Sequence, residues 1–157
     1  MSTTEETMKH MITAATFFIL AIVFAGDLRA QSGPFQYFSV TPCRVVDTRN
    51  PNGTNGGPAL AENSSRNFSI RGNCGIPTTA KAVSINLAVT QATATSFLSV
   101  WPSGTAQPAA SNINFNPSQF SLSNGAIVGL STSTNDLSVF NRWGTVHVII
   151  DVNGYFQ

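Results

Sequence analysis

The sequence predicts an all-β protein: an antiparallel β-sandwich or partly closed barrel of about nine strands, stapled by one disulfide and preceded by a helical signal peptide. Three observations carry that expectation. Apolar and polar residues alternate with period two through the body of the chain. The alternating runs are short and separated by Gly, Asn, Pro and Ser clusters. Beyond the first thirty residues, nothing sustains a 3.6-residue apolar period with helix caps.

The leader comes first. Lys9 and His10 precede an uncharged run of 15 residues, Met11 to Ala25, which Asp27 and Arg29 then break. A basic start, a short apolar stretch and a small residue ahead of the break form the pattern of a secretory signal. A membrane anchor needs about 20 apolar residues, so this run is too short to span. Cleavage is expected after Ala30, with Ala25 as the alternative, and the acidic stretch Ser2–Thr7 makes Met8 the alternative start. The expected product is a single domain over 31–157, secreted to the cell surface or medium, with the periplasm left open and no integral membrane anchor.

Within that domain the clearest strand is Val83–Thr90, where Val83, Ile85, Leu87 and Val89 face one way and small polar residues the other. Further strands are expected at Phe35–Val40, Cys43–Asp47, Asn67–Arg71, Phe97–Trp101, Asn112–Phe115, Ala126–Leu130, Leu137–Asn141 and Val146–Val152. Turns are expected at Asn50–Gly53, Asn55–Pro58, Pro102–Gly104, Asn124-Gly125 and Thr134–Asp136. The stretch Asn50–Ser65 reads as an exposed loop. Cys43 and Cys74 are an even pair in an exported chain, without CxxC spacing or a nearby histidine, and read as a disulfide closing that loop at its base.

After leader removal the bases are Arg44, Arg49, Arg66, Arg71, Lys81 and Arg142, and the acids are Asp47, Glu62, Asp136 and Asp151. So few and so balanced charges exclude nucleic acid as a partner, because that affinity rests on many cationic contacts to phosphate. They also leave little repulsion to oppose self-association.

Catalytic chemistry finds no foothold. His147 is the one histidine of the expected mature domain, and Asp151 lies four residues along the same strand, roughly 13 Å away at ~3.3 Å per residue. A base and its orienting acid must touch, so these two are not such a pair. No G-x-S-x-G elbow occurs, and a lone histidine makes no zinc site. No catalytic residue, metal or cofactor is expected. Asp47 and Arg49 read instead as a structural polar cluster, with Asp151 as partner to Arg49 or Arg44. Trp101, Trp143 and Tyr155 each adjoin a turn and are the candidate ligand-facing aromatics. The N-x-S/T sequences at Asn52, Asn63 and Asn67 are what chance supplies in a chain this rich in Asn, Ser and Thr.

Several phrases carry a resemblance as a set. They are Thr41-Pro42-Cys43-Arg44-Val45-Val46-Asp47-Thr48-Arg49, Cys74-Gly75-Ile76-Pro77, Ala80–Val83, Asn86–Thr90, Leu98–Gly104, Pro108–Phe115 and His147–Phe156. In this order they resemble a secreted bacterial all-β domain family that opens with P-C-R-x-x-D-T-R and closes with D-V-x-G-Y-F, often appended to cell-wall hydrolases or surface proteins. The resemblance spans nearly the whole of 31–157 and implies a bacterial, extracellular, accessory role, with no activity to transfer. The chain departs from the family's habit in carrying no attached enzyme, which makes a simple targeting module less natural. The functional expectation is therefore a non-catalytic structural or adhesive protein of the cell surface or extracellular matrix, self-assembling into filaments. Its expected partner is itself, with Phe35–Val40 lying in its own sheet or a neighbour's. The alternative is a carbohydrate-binding module for cell-wall or environmental polysaccharide.

Overall fold

The computed structural model describes residues 33–133 and 135–157; the expected signal segment 1–30 and both cleavage sites lie outside the described residues. Within them are eight strands and no helix: β1 Tyr37–Asp47, β2 Ser64–Phe68, β3 Ala82–Thr90, β4 Ser96–Pro102, β5 Ile113–Phe115, β6 Ser121–Gly129, β7 Leu137–Asn141 and β8 His147–Phe156. They form two four-stranded sheets. Sheet I has the order β1-β8-β3-β6 and sheet II the order β2-β7-β4-β5. Every pairing is antiparallel.

The period-two pattern explains how the sheets share one core. Val83, Ile85, Leu87 and Val89 of β3 and Val148, Ile150 and Val152 of β8 are buried in a single cluster with Phe68, Leu98, Val100, Leu137 and Val139 of sheet II. A β-sandwich results. Six of the seven strand connections cross from one sheet to the other, and β4 to β5 alone stays within its sheet. No pair other than β4–β5 can therefore close locally, and most pairing is long-range.

Several boundaries differ from those read in the sequence, each for a physical reason. The two expected strands Phe35–Val40 and Cys43–Asp47 are one, β1, whose register against β8 shifts between Ser39 and Cys43 around Pro42. Proline cannot donate to a ladder, and an edge strand with an irregularity accommodates it. That merger brings nine expected strands to eight. The expected strand Asn67–Arg71 is instead Ser64–Phe68, because the N–H groups of Ile70 and Arg71 bond the Asp136 carboxylate rather than a neighbouring strand. Asn124-Gly125 is not a turn. It lies inside β6, which pairs with β3 over nine residues without a register shift, from Ala82–Gly129 to Thr90–Ser121.

Tyr37, Phe38 and Ser39 pair with Phe156, Tyr155 and Gly154 of β8 in the same chain. Of the two positions considered for the N-terminal segment, the described part occupies its own sheet.

Candidate functional site

The β1–β8 register sets Arg44 opposite Asp151. Their side chains form a two-pronged pair, with Nε 2.8 Å from Oδ1 and Nη2 3.2 Å from Oδ2. Arg44 also reaches Asp47, Nη1 to Oδ2 at 3.5 Å. Asp47 is gripped by Arg49, whose Nε lies 2.8 Å from Oδ1 and Nη2 2.6 Å from Oδ2, while the Arg49 backbone N–H donates to Oδ1 at 3.1 Å. Two guanidinium groups and two carboxylates are thus joined in one line: Arg49, Asp47, Arg44, Asp151. The expected cluster of Asp47, Arg49 and Asp151 does assemble, with Arg44 as its fourth member and the direct partner of Asp151. The Arg49 hydrogen bonds hold the buried Asp47 carboxyl down at about 2, against the opposing effect of burial. Hydrogen bonding to Asp151 raises Arg44, and hydrogen bonding to Asp47 raises Arg49.

Beside this line, the buried Thr48 hydroxyl accepts the Val148 N–H at 2.8 Å and lies 3.1 Å from His147 Nδ1. The Thr48 hydroxyl bonds both the backbone and the ring of the residues that open β8. His147 thus buttresses a strand end.

Cys43 and Cys74, separated by 31 positions in sequence, form the disulfide with Cα atoms 5.8 Å apart, inside the normal span. It ties β1 to the connection that follows β2. The stretch Asn50–Ser65 is less of a free loop than its composition implies: Gly57 and Leu60 are buried, and Leu60 bridges Val146. Arg66 organises it. Its guanidinium donates to the carbonyls of Gly56 at 2.9 Å, Gly53 and Gly57 at 3.2 Å each, and Pro58. Asn55 adds a backbone-like pair, its amide donating to the Ser69 carbonyl at 2.7 Å and accepting the Ser69 N–H at 3.0 Å. Neither Arg66 nor Asn55 stood out in the sequence, because both act on backbone groups that only the folded loop presents.

The other carboxylates are also engaged. Buried Asp136 accepts the N–H groups of Ile70 and Arg71 on Oδ2 at 2.6 and 2.8 Å, and Arg71 Nη1 on Oδ1 at 2.7 Å. Glu62 Oε2 accepts the Gly144 N–H at 3.0 Å.

The three candidate aromatics do not act together. Trp101 is buried, which corrects its reading as ligand-facing: the segment after β4 folds back so that Trp101 Nε1 donates to the Thr105 carbonyl at 3.1 Å, and Ser99 bonds Ala110. Trp143 is exposed, edge-on to Phe97, with the Arg142 guanidinium 5.2 Å from its ring. Tyr155 is half-buried and stacked on Phe38. Trp143 precedes β8 and Tyr155 lies near its far end, roughly 25 Å away at ~3.3 Å per residue, so they share no platform.

The chain matches no family model, no curated protein and no solved structure.

What remains to assign a role is surface chemistry, and the outer face of sheet I has a definite order. Cross-strand rows run Tyr37–Phe156–Ala82–Gly129, then Ser39–Gly154–Ser84–Ile127, then Arg44–Asp151–Asn86–Gly125. The Tyr37 ring covers Gly154. A Cβ at Gly154 would overlap the Tyr37 hydroxyl oxygen, Cζ and Cε2, so the hydroxyl end of the side chain sits against the glycine. Its hydroxyl donates to the Asn153 carbonyl at 3.2 Å, its ring packs against Phe156 with centroids 5.2 Å apart and planes tilted by 54°, and the residue is 47% exposed.

Proposed function

We propose that this chain is a secreted, non-catalytic structural or adhesive protein of the bacterial cell surface or extracellular matrix that associates with itself along strand β6. One observation carries the reading: β6 is the unguarded edge of the sandwich. Its nine residues bear no charge and no proline, and it pairs with β3 without a register shift. It also carries or adjoins the two most exposed large apolar residues, Ile127 at 67% and Phe120 at 84%. The other three edges have the devices that natural sheets use against edge pairing. β1 has Pro42 and two register shifts, β2 carries Arg66 with the loop it gathers, and β5 is three residues long. Asn124 tethers β6 to the Asn112 carbonyl at 2.7 Å, which fixes the strand beside the seam between the sheets.

The non-catalytic part of the reading is supported by occupancy. Asp47, Glu62, Asp136 and Asp151 each hold a structural partner, so none stands ready as an acid, a base or a nucleophile.

Negative-stain microscopy and sedimentation of the purified full chain test this. The expected result is filaments or higher oligomers, and a shift to monomers on Ser123→Lys with Ile127→Lys, which put charge on the edge strand. A wild-type protein that stays monomeric at high concentration overturns it.

A further inference from the structure

We infer that the outer face of sheet I binds a neutral polysaccharide, one sugar ring stacking on Tyr37 and the neighbouring hydroxyls bonding Asn86 and the Arg44–Asp151 pair. The inference rests on the adhesive reading above and names the ligand class for that adhesion.

Tyr37 is the first support. An aromatic side chain in a sandwich ordinarily packs into the core or stands among its neighbours. This one reaches from the edge strand to Gly154 of the inner strand, rests beside Phe156 and stays 47% exposed. An aromatic ring fixed at its hydroxyl end and still half exposed offers its electron-rich face as a shelf for weakly positive C–H groups. The apolar face of a pyranose is such a surface. Glycine at 154 is what allows the geometry, since any Cβ there would displace the ring.

The second support is the polar row beside the shelf. Asn86 faces outward between Asp151 on β8 and Gly125 on β6. It is half-buried, so its side-chain amide stays open to solvent in this row. An amide there can donate and accept at once, as a sugar hydroxyl requires. Gly125 leaves open space at the end of the row, with no atom within 4 Å of where a Cβ would stand. Arg44 and Asp151 are 48% and 27% exposed at their side chains and keep donor and acceptor capacity beyond their mutual pair. Successive rows along the strands are roughly 7 Å apart, so the shelf and the polar row fit one short run of linked sugars.

Charge decides between ligand classes. The ionised groups in and beside the row are Arg44, Arg49, Asp47 and Asp151, two of each sign and already paired. A nucleic acid or an anionic lipid surface needs many uncompensated cations, and beside this face stands only exposed Lys81, ahead of Ala82. An uncharged hydroxyl-rich polymer loses nothing by that balance.

Binding isotherms of the purified full chain on insoluble cellulose and chitin, and on heparin as the anionic comparator, test the site. The expected result is saturable binding to at least one neutral polymer, retained in 0.5 M salt on the scale where surface charge is screened, and weaker binding to heparin. Tyr37→Ala should weaken it about tenfold or more, as loss of one stacking contact of ~1.4 kcal/mol does, while Tyr37→Phe keeps it. Tyr37→Ala also uncovers Gly154, so its melting temperature is read alongside. Asn86→Ala should weaken binding with the melting temperature unchanged. Failure to bind either neutral polymer overturns the site, as does tighter binding to heparin or unchanged binding in both Tyr37→Ala and Asn86→Ala. Filaments without polysaccharide binding would leave the self-association reading standing and this one fallen; binding by a monomer would do the reverse.

Discussion

Arg49 turns back onto Asp47, two residues before it, and holds both carboxylate oxygens, at 2.8 and 2.6 Å. Arg49 lies in the turn that follows β1, where the Asp47 carbonyl accepts the Asn50 N–H at 3.1 Å and its carboxylate accepts the Arg49 N–H, so the pair closes locally with that turn. Because Arg44 touches the same carboxylate, the pair also fastens β1 to Asp151 on β8.

The first prediction concerns acid. Asp47 in the folded protein titrates at about 2, below its ordinary value of 3.8. The stabilisation is therefore fully present above pH ~4 and is lost as the pH falls from there through about 2. Arg49 stands partly in water, which discounts the pair, so the expected loss is on the order of 1–2 kcal/mol. Denaturant midpoints measured from pH 5 down to pH 2 check it. Asp47→Asn should lower stability at pH 7 and flatten that slope.

The second prediction concerns the Cys43–Cys74 bridge, which encloses a 31-residue separation. Reduction, or Cys43→Ser with Cys74→Ser, should cost roughly 3–4 kcal/mol at the upper end, by releasing the unfolded chain. Urea unfolding with and without reductant measures it. A change below about 1 kcal/mol would mean that the reduced chain stays restrained by other contacts.

A third prediction falls on Asp136. Its carboxylate satisfies two backbone N–H groups and Arg71 in a buried place. Asp136→Ala leaves all three donors unpaired and should cost about 3–5 kcal/mol by equilibrium unfolding, with Asp136→Asn milder because its carbonyl oxygen still accepts.

Legibility followed where the physics is local. β3 and β8 could be read because a strand buried on one side alternates over many residues, as Val83–Val89 and Val148–Val152 do. β6 could be read only in its second half, as the expected strand Ala126–Leu130, since an edge strand with one hydrogen-bonded neighbour needs few apolar residues and Ser-Asn-Gly in its middle imitates a turn. The Asp47–Arg49 pair was visible in a two-residue spacing, whereas choosing Arg44 over Arg49 for Asp151 depended on a register set by a shift at Val46. The burial of Trp101 depended on the segment that returns to Thr105 and Ala110, which no spacing around the tryptophan reveals. Tyr37 was placed in a strand segment, but its seat against Gly154 comes from two residues 117 apart in sequence.

The last prediction concerns Arg66, which gathers the carbonyls of Gly53, Gly56, Gly57 and Pro58 with one planar group. A glycine-rich segment loses much backbone entropy on ordering, and those carbonyls would otherwise turn to water. Lysine offers the charge without the fork, so Arg66→Lys should satisfy fewer carbonyls at once. Its guanidinium also lies 5.0 Å from the Phe68 ring, a contact that lysine keeps and alanine loses. Hydrogen exchange should therefore speed up across residues 50–58 in both variants, while β3 and β8 keep their protection. Global stability should fall by about 1–2 kcal/mol in Arg66→Ala and by less in Arg66→Lys. If exchange in residues 50–58 stays at the wild-type rate in Arg66→Ala, the loop is held by Asn55 and Leu60 instead, through their bonds to Ser69 and Val146.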